Sequence, residues 1–460
     1  MQQFNSQGLN ILVCASFLFF STGCSAWPPV PFYVHANVES AEKEVDSSVG
    51  NRAKEDLGQI IVMLALSGGG YRATALSFGV LQGLHEIQID RGDSTTPDKP
   101  GSFWEEIDFV SGISGGAITA AFFALNHRSA DKFANLKQLA LKRDAEFDIF
   151  VVRTFLYPWN WFPLLFTHFS QTHLAADFYD STLFEGKTFG ALDSKPRLII
   201  GGTELGGQER FEFTEKRFEC LGSDWKNFKI SQAVAASAAF PLVFPPLPLK
   251  NFNASVVNCD GTRSYVDHIG RSYFHISDGG IKDNTGILAL LYRLKDSKDQ
   301  DRIRILYNSQ CIKGILLISV DAAAHPGKDY GRTAGPLGRL ETLRTVVDVI
   351  HNEAHGAAVE LANDLPNDFP QQTDGYKPHT KHIPINFHRI RDHAFESDVS
   401  SGPDLLDSLD GIRTGLSLTD EQRETLISSG KLAAKMIEDD IKLFFQGANM
   451  VQTQNTCKPL

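Results

Sequence analysis

Long hydrophobic runs are nearly absent from this sequence, and that excludes a multi-span membrane protein, whose helices each need about 20 apolar residues. A sustained basic run is missing as well: 44 Lys and Arg stand against 55 Asp and Glu, a formal charge of −11. Proteins built to bind nucleic acid carry a cationic stripe, so no nucleic-acid partner is expected. Cysteine is sparse, six in 460 residues. No CxxC pair and no Cys/His cluster has the spacing that zinc takes. There is no internal repeat and no low-complexity tract. What is left is an ordinary globular balance, 42% apolar and 22% charged, which rules out a disordered chain, a coiled coil and a collagen-like rod.

The one apolar block sits at the start, Ile11–Phe20 (ILVCASFLFF). It is too short to span a bilayer but suits the core of a signal peptide. The small residues that follow, Ser21-Thr22-Gly23 before Cys24, resemble a bacterial lipoprotein signal, in which the cysteine becomes the lipid-bearing first residue. Ser21 stands where that pattern usually has Leu, and the first ten residues hold no Lys or Arg. Cleavage after Ala26 is the competing reading. Residues 1–26 are therefore expected to direct export, with attachment to the bacterial cell envelope through Cys24. Residues 27–57 read as a tether. If Cys14 and Cys24 belong to the leader, Cys220, Cys259, Cys311 and Cys457 remain, enough for two disulfides in three pairings or for four buried thiols.

From residue 58 onward strands and helices alternate. Ile60–Leu66 (IIVMLAL) is a continuous apolar run, the mark of a strand buried on both faces. Further strands are expected at Ile107–Ser111, Arg197–Gly201, Tyr273–Ser277, Gly314–Val320 and His382–Phe387. Helices are expected at Ala73–Ile89, Ala117–Leu125, Gln232–Phe240, Leu340–Asn363 and Thr419–Phe445, the last opened by a Thr419…Gln422 capping box. The alternation predicts an α/β fold, a three-layer sandwich around a mainly parallel sheet, in one domain over residues 58–450.

Three motifs could carry chemistry. Gly112-Ile113-Ser114-Gly115-Gly116 is G-x-S-x-G between a strand and a helix, the arrangement that lifts a serine out of a sharp turn as a nucleophile. Ser67-Gly68-Gly69-Gly70-Tyr71-Arg72 exposes successive backbone N–H groups, as an oxyanion hole requires, and lacks the Gly-Lys-Ser/Thr ending of a P-loop. Arg72 could hold that loop or meet an anionic substrate. Asp278, at the end of a strand and before Gly279-Gly280, can face the same cleft and accept the proton of a serine, though on its own it reads as an ordinary Asp-Gly turn.

Together and in this order the motifs resemble the patatin-like phospholipase family, well over residues 60–300 and loosely beyond. Two flanking stretches, Leu198–Leu205 and Ala233–Pro246, are similar too. The resemblance implies Ser114 as nucleophile and Asp278 as its partner in a dyad without histidine. It places Gly68, Gly69, Gly70 and Arg72, with Gly115, around the oxyanion. It also implies no cofactor, and a phospholipid or other lipid ester as substrate, met at a membrane surface. Two departures are Ala73, where glycine is frequent, and Gly286, where proline is frequent. An esterase or thioesterase acting on smaller substrates, or a lipid-binding envelope protein that kept the fold, are the alternatives.

A Ser-His-Asp triad is open by chain order, since His351, His355, His379, His382, His388 and His393 all follow Asp278. His351 and His355 stand i, i+4 without the H-E-x-x-H order of a zinc site. Phe147–Phe169 is strongly aromatic and reads either as a lipid-facing segment or as buried packing.

Overall fold

A computed structural model of the chain describes residues 37–40, 58–89, 101–142, 144–166, 169–241, 243–253, 271–295, 302–323, 338, 342, 354–396, 408–453 and 457. The leader with Cys24, most of the tether, Cys259, His351 and the first part of the expected Leu340–Asn363 helix lie outside them.

The main sheet comprises β1 (Ile60–Leu66), β4 (Ile107–Ile113), β5 (Arg197–Glu204), β6 (Glu209–Glu212), β7 (Leu247–Lys250), β8 (Tyr273–Asp278), β9 (Gly314–Val320) and β10 (His379–Ile385). A small hairpin, β2 (Gln88–Ile89) and β3 (Gly101–Ser102), stands apart. The order is β10-β9-β1-β4-β5-β8-β7, with β6 on β5. β10, β9, β1, β4 and β5 run parallel; β8 joins β5 and β7 joins β8 in antiparallel pairs at one side, while β6 pairs antiparallel with the end of β5 on its other edge. The expected sandwich is therefore present, and the central position of β1 explains its unbroken apolar sequence. Val62, Leu64 and Leu66 enter the core on one face, while Ile61, Met63 and Ala65 enter the core on the other.

On the first face lie α1 (Gly70–Glu86), α2 (Gly115–Asn126), α3 (Ile230–Ser237), α4 (Asp420–Met436) and α5 (Glu438–Asn449). Helices around Ile287–Lys295, Arg302–Asn308 and residues 354–363 cover the second. α4 lies on α1 so closely that a Cβ at Gly430 would strike the Leu76 carbonyl. The Thr419 hydroxyl accepts from the Gln422 N–H at 3.2 Å, and Gln422 Oε1 accepts from the Thr419 N–H at 3.1 Å, completing the expected capping box. The expected single helix Thr419–Phe445 is two, broken at buried Ile437. The acidic run Glu438-Asp439-Asp440 starts the second, where a helix N-terminus favours negative charge. The last strand is His379–Ile385 rather than His382–Phe387, because its register on Gly314–Val320 begins at His379 and Phe387 already opens a helix.

Cys311 and Cys457 form a disulfide that returns the C-terminal tail to the start of β9, and Cys220 is disulfide-bonded too. One buried charge has a clear structural task. Asp108, 1% exposed, accepts from the Val62 N–H at 2.8 Å and lies 3.0 Å from Lys195 Nζ, beside the register shift between β1 and β4. Burial raises its carboxyl above the ordinary value, and Lys195 and the Val62 bond pull it back. Asp108→Ala leaves the Val62 N–H without its partner inside the sheet while the half-exposed Lys195 ammonium turns to water, and a loss of about 1–3 kcal/mol is expected. Urea unfolding monitored by circular dichroism checks this; an unchanged midpoint would refute the assignment.

Candidate active site

The parallel strands end at one edge, and the three motifs meet there. β4 stops at Ile113 and the chain turns at once into α2, so Ser114 is forced to φ 50°, ψ −117°. Such a conformation costs about 1–3 kcal/mol and persists only where the surroundings impose it. They do so here through Ser237: the Ser114 N–H donates to Ser237 Oγ at 2.8 Å, and that hydroxyl donates to the Gly201 carbonyl at 2.5 Å.

Asp278 ends β8 opposite Gly202 of β5. Its own N–H donates to the Ala239 carbonyl at 3.0 Å. Its carboxylate accepts from the Gly280 N–H at 2.7 Å and lies near enough to the Ser114 side chain for that hydroxyl to lower its pKa. Burial pushes this carboxyl from its ordinary 3.8 up to about 7, and the Gly280 N–H and the Ser114 side chain hold it from rising further. A carboxylate in water is too weak a base to deprotonate serine; desolvation moves this one to where proton acceptance at neutral pH is effective.

The glycine loop joins β1 to α1. Gly69 and Gly70 have φ of 137° and 60°, which side-chain-bearing residues rarely adopt. At Gly115 a Cβ would collide with the Gly70 carbonyl. The N-termini of α1 and α2 therefore meet backbone to backbone, and their first-turn N–H groups and positive dipole ends converge beside Ser114. Thr74 Oγ1 donates to the Gly115 carbonyl at 2.9 Å, and Thr119 Oγ1 donates to the Thr74 carbonyl at 3.1 Å, binding the two helices.

Gly68 and Arg72 hold the loop in place, which for Arg72 is one of the two roles the sequence allowed it. The Gly68 N–H donates to the Asn284 carbonyl at 2.8 Å, so the free amides of the loop are those of Gly69 and Gly70. Arg72, 6% exposed, donates through Nη1 to the Ile412 carbonyl at 2.7 Å. It fastens the loop from below. Beside it the Tyr71 N–H donates to the Gly415 carbonyl at 2.8 Å.

Several functional positions escaped the sequence reading. Ser237 lies within the quoted Ala233–Pro246 stretch, and Asn284 lies in the Asp278 motif, but the bonds that bring them to Ser114 and Gly68 each span more than a hundred residues. Asp283, fully buried, caps the next helix through the Gly286 N–H at 2.9 Å and the Ala289 N–H at 3.2 Å. Gly286, the departure from proline, has φ +71° and passes Ser111 Oγ, which donates to its carbonyl at 2.6 Å. Proline, locked near −65°, could not replace it.

Among the described residues, no histidine bonds to Asp278. His382 lies 2.8 Å from both Ser319 Oγ and Asn363 Oδ1, and burial holds it down at about 4. His355 lies 3.6 Å from Asp321. Among the described residues no group of three His, Cys, Asp or Glu side chains gathers to hold a metal ion. No described helix is long and apolar enough to cross a membrane.

Residues 64–291 match the model of one known family, the patatin-like phospholipases. No curated protein sequence matches the chain. Among solved structures, human GIVD cytosolic phospholipase A2 aligns at 12% identity and a TM-score of 0.48 over 90% of this chain and 66% of its own. VipD from Legionella pneumophila aligns at 15% identity and a TM-score of 0.35 over 82% of this chain and 66% of its own. The chain thus spans just under two thirds of those proteins.

Proposed function

We propose, taking the patatin-like phospholipase domain of residues 64–291 as premise, that this chain hydrolyses carboxylic esters of lipids through Ser114 and Asp278. The observation that carries the reading is the meeting, at one sheet edge, of Ser114 in its forced turn at φ 50° with the buried Asp278 carboxyl, which burial pushes up to about 7.

Ser114 Oγ attacks the acyl carbonyl and its proton passes to Asp278. The resulting oxyanion accepts from the N–H groups of Gly69, Gly70 and Gly115. As the C–O bond breaks, Asp278 returns the proton to the leaving alkoxide, and the acyl group stays on Ser114. Water then attacks the acyl-enzyme and gives its proton to Asp278, which passes it to Ser114 Oγ as the acyl C–O bond breaks and the fatty acid departs. The site needs no cofactor for any of these steps. We further propose that the chain works at a membrane, exported and anchored through Cys24.

Reaction with a fluorophosphonate bearing a lipid chain tests the nucleophile. The expected result is a single adduct, found by peptide mass spectrometry on the peptide containing Ser114, with parallel loss of fluorogenic phospholipid hydrolysis. An adduct on another residue, or hydrolysis that survives full modification of Ser114, would sink the proposal.

A further inference from the structure

The aromatic segment resolves into neither of its simple readings. It begins with a short helix and a π-helical stretch, Asp148–Leu156, and continues through Pro158–Asn160 and Trp161–Phe166. Ile149 and Thr154 are buried, whereas Phe147, Phe155, Leu156, Trp159, Trp161 and Leu165 are between 41% and 67% exposed. Elsewhere among the described residues the exposed large apolar side chains are mostly scattered singly. Here six stand within 19 residues.

The patch is tied to the catalytic edge at two points. Just before it, Glu146 Oε1 accepts from the Leu416 N–H at 2.9 Å, next to the Gly415 carbonyl that receives the Tyr71 N–H. Within it, Phe150 stacks on Phe244 at 5.3 Å, in the segment whose Ala239 carbonyl receives the Asp278 N–H. Its charges cancel: Arg153 Nε donates to Asp148 at 2.6 Å, and residues 147–166 hold no other charged group.

An independent feature points the same way. Residues 37–40 are clamped to the edge of the sheet. Asn37 Nδ2 donates to the Lys250 carbonyl at 2.9 Å and Asn37 Oδ1 accepts from the Lys250 N–H at 2.8 Å, while Glu39 bridges to Ser223. Lys250 pairs with Tyr273, five residues before Asp278 on β8. β8 runs antiparallel to β5, so Lys250 lies outward from the dyad by roughly 16 Å, beyond the carboxyl ends of the parallel strands. From Cys24 to Asn37 the chain can reach at most about 45 Å. A domain of some 400 residues is roughly 55 Å across. An anchor at Cys24 therefore cannot lie on the far side of the molecule from the active site.

We propose that the face formed by Phe155, Leu156, Trp159, Trp161 and Leu165 docks onto a zwitterionic lipid surface, with the catalytic edge turned toward the same membrane. The proposal deepens the hydrolase reading and rests on it for its role, though not for the docking itself. The occupant follows from chemistry. Tryptophan side chains favour the headgroup boundary, and an uncharged patch on a chain of net charge −11 gains nothing from anionic lipid.

The test uses the full chain carrying Trp27→Phe, to remove the tryptophan next to the anchor, on phosphatidylcholine vesicles with brominated acyl chains. Trp159 and Trp161 are then two of four tryptophans, and bromine should quench about half of the emission relative to unbrominated vesicles. Adding Trp159→Phe and Trp161→Phe should abolish that difference. Equal quenching in both proteins would overturn the proposal. So would a patch variant, Trp159→Ser with Trp161→Ser, that turns a dimer into a monomer by light scattering with vesicle binding unchanged, since a second copy would then be the occupant. The Ser variant is also expected to lose at least tenfold in vesicle hydrolysis while cleaving a soluble short-chain ester at the wild-type rate; a loss on both substrates would refute a docking role. If the wild type cleaves neither substrate, the hydrolase reading fails, and the quenching result decides the docking alone.

Discussion

Asp278→Asn is expected to be nearly inactive and, at the same time, more stable than the wild type. Both effects come from one fact, the burial that lifts this carboxyl from 3.8 to about 7. Asparagine cannot take the serine proton, and removal of a general base costs about 10²–10⁴ in rate. The stability follows from linkage. The folded pKa lies above the unfolded one, so between pH 4 and 7 the folded protein holds a proton that the unfolded chain has released. Stability therefore falls as pH rises through that window, and the full cost, about three pKa units or roughly 4 kcal/mol, is present above pH 7. Asparagine never ionises and escapes it. Thermal unfolding at pH 8 should show the variant higher in Tm, and at pH 4 the two proteins should coincide. The same ionisation predicts wild-type kcat/KM rising to a plateau above about pH 7. A variant that is destabilised at pH 8, or a rate that is flat from pH 5 to 8, would mean that Asp278 is not the buried base described.

Gly115→Ala should disable the site without touching the dyad. The added methyl would meet the Gly70 carbonyl, with the Gly70 backbone directly behind it. Nothing flexible stands in the way that could swing aside, so α1 and α2 must separate at their N-termini. The Gly69 and Gly70 N–H groups then retreat from the position where the oxyanion forms. Loss of one such donor costs about 10²–10³ in kcat, and here two move together. Overpacking of this kind costs about 1–3 kcal/mol in stability, small enough for a folded variant. The measurement is kcat and KM on a soluble ester beside the Tm. A kcat within threefold of wild type would show that the two helix ends do not form the hole.

How much was legible in the sequence depended on the separation at which each constraint acts. Ser114, Gly70 and Asp278 sit in short motifs because a sharp turn and a close backbone approach need particular residues at neighbouring positions. β1 announced its place by being apolar without interruption, which only a strand covered on both faces requires. Ser237 was invisible as a partner, for nothing local marks a serine whose hydroxyl meets the Ser114 N–H 123 residues away, and Asn284 meets Gly68 only through its backbone carbonyl. Ile412 and Gly415 gave no signal at all, since they act through backbone carbonyls that every residue possesses. The aromatic segment was ambiguous because composition alone cannot tell which rings are buried, and the answer proved to be both.

The Arg72 and Tyr71 contacts set an order in time as well as in space. The loop beside the nucleophile is fastened by carbonyls at Ile412 and Gly415, the former 340 residues further along, and α1 is covered by α4 near the end of the chain. A nascent polypeptide that has already exposed both Ser114 and Asp278 still lacks the brace for its glycine loop. The geometry of that glycine loop is thus complete only once residues 412–436 have folded back onto α1.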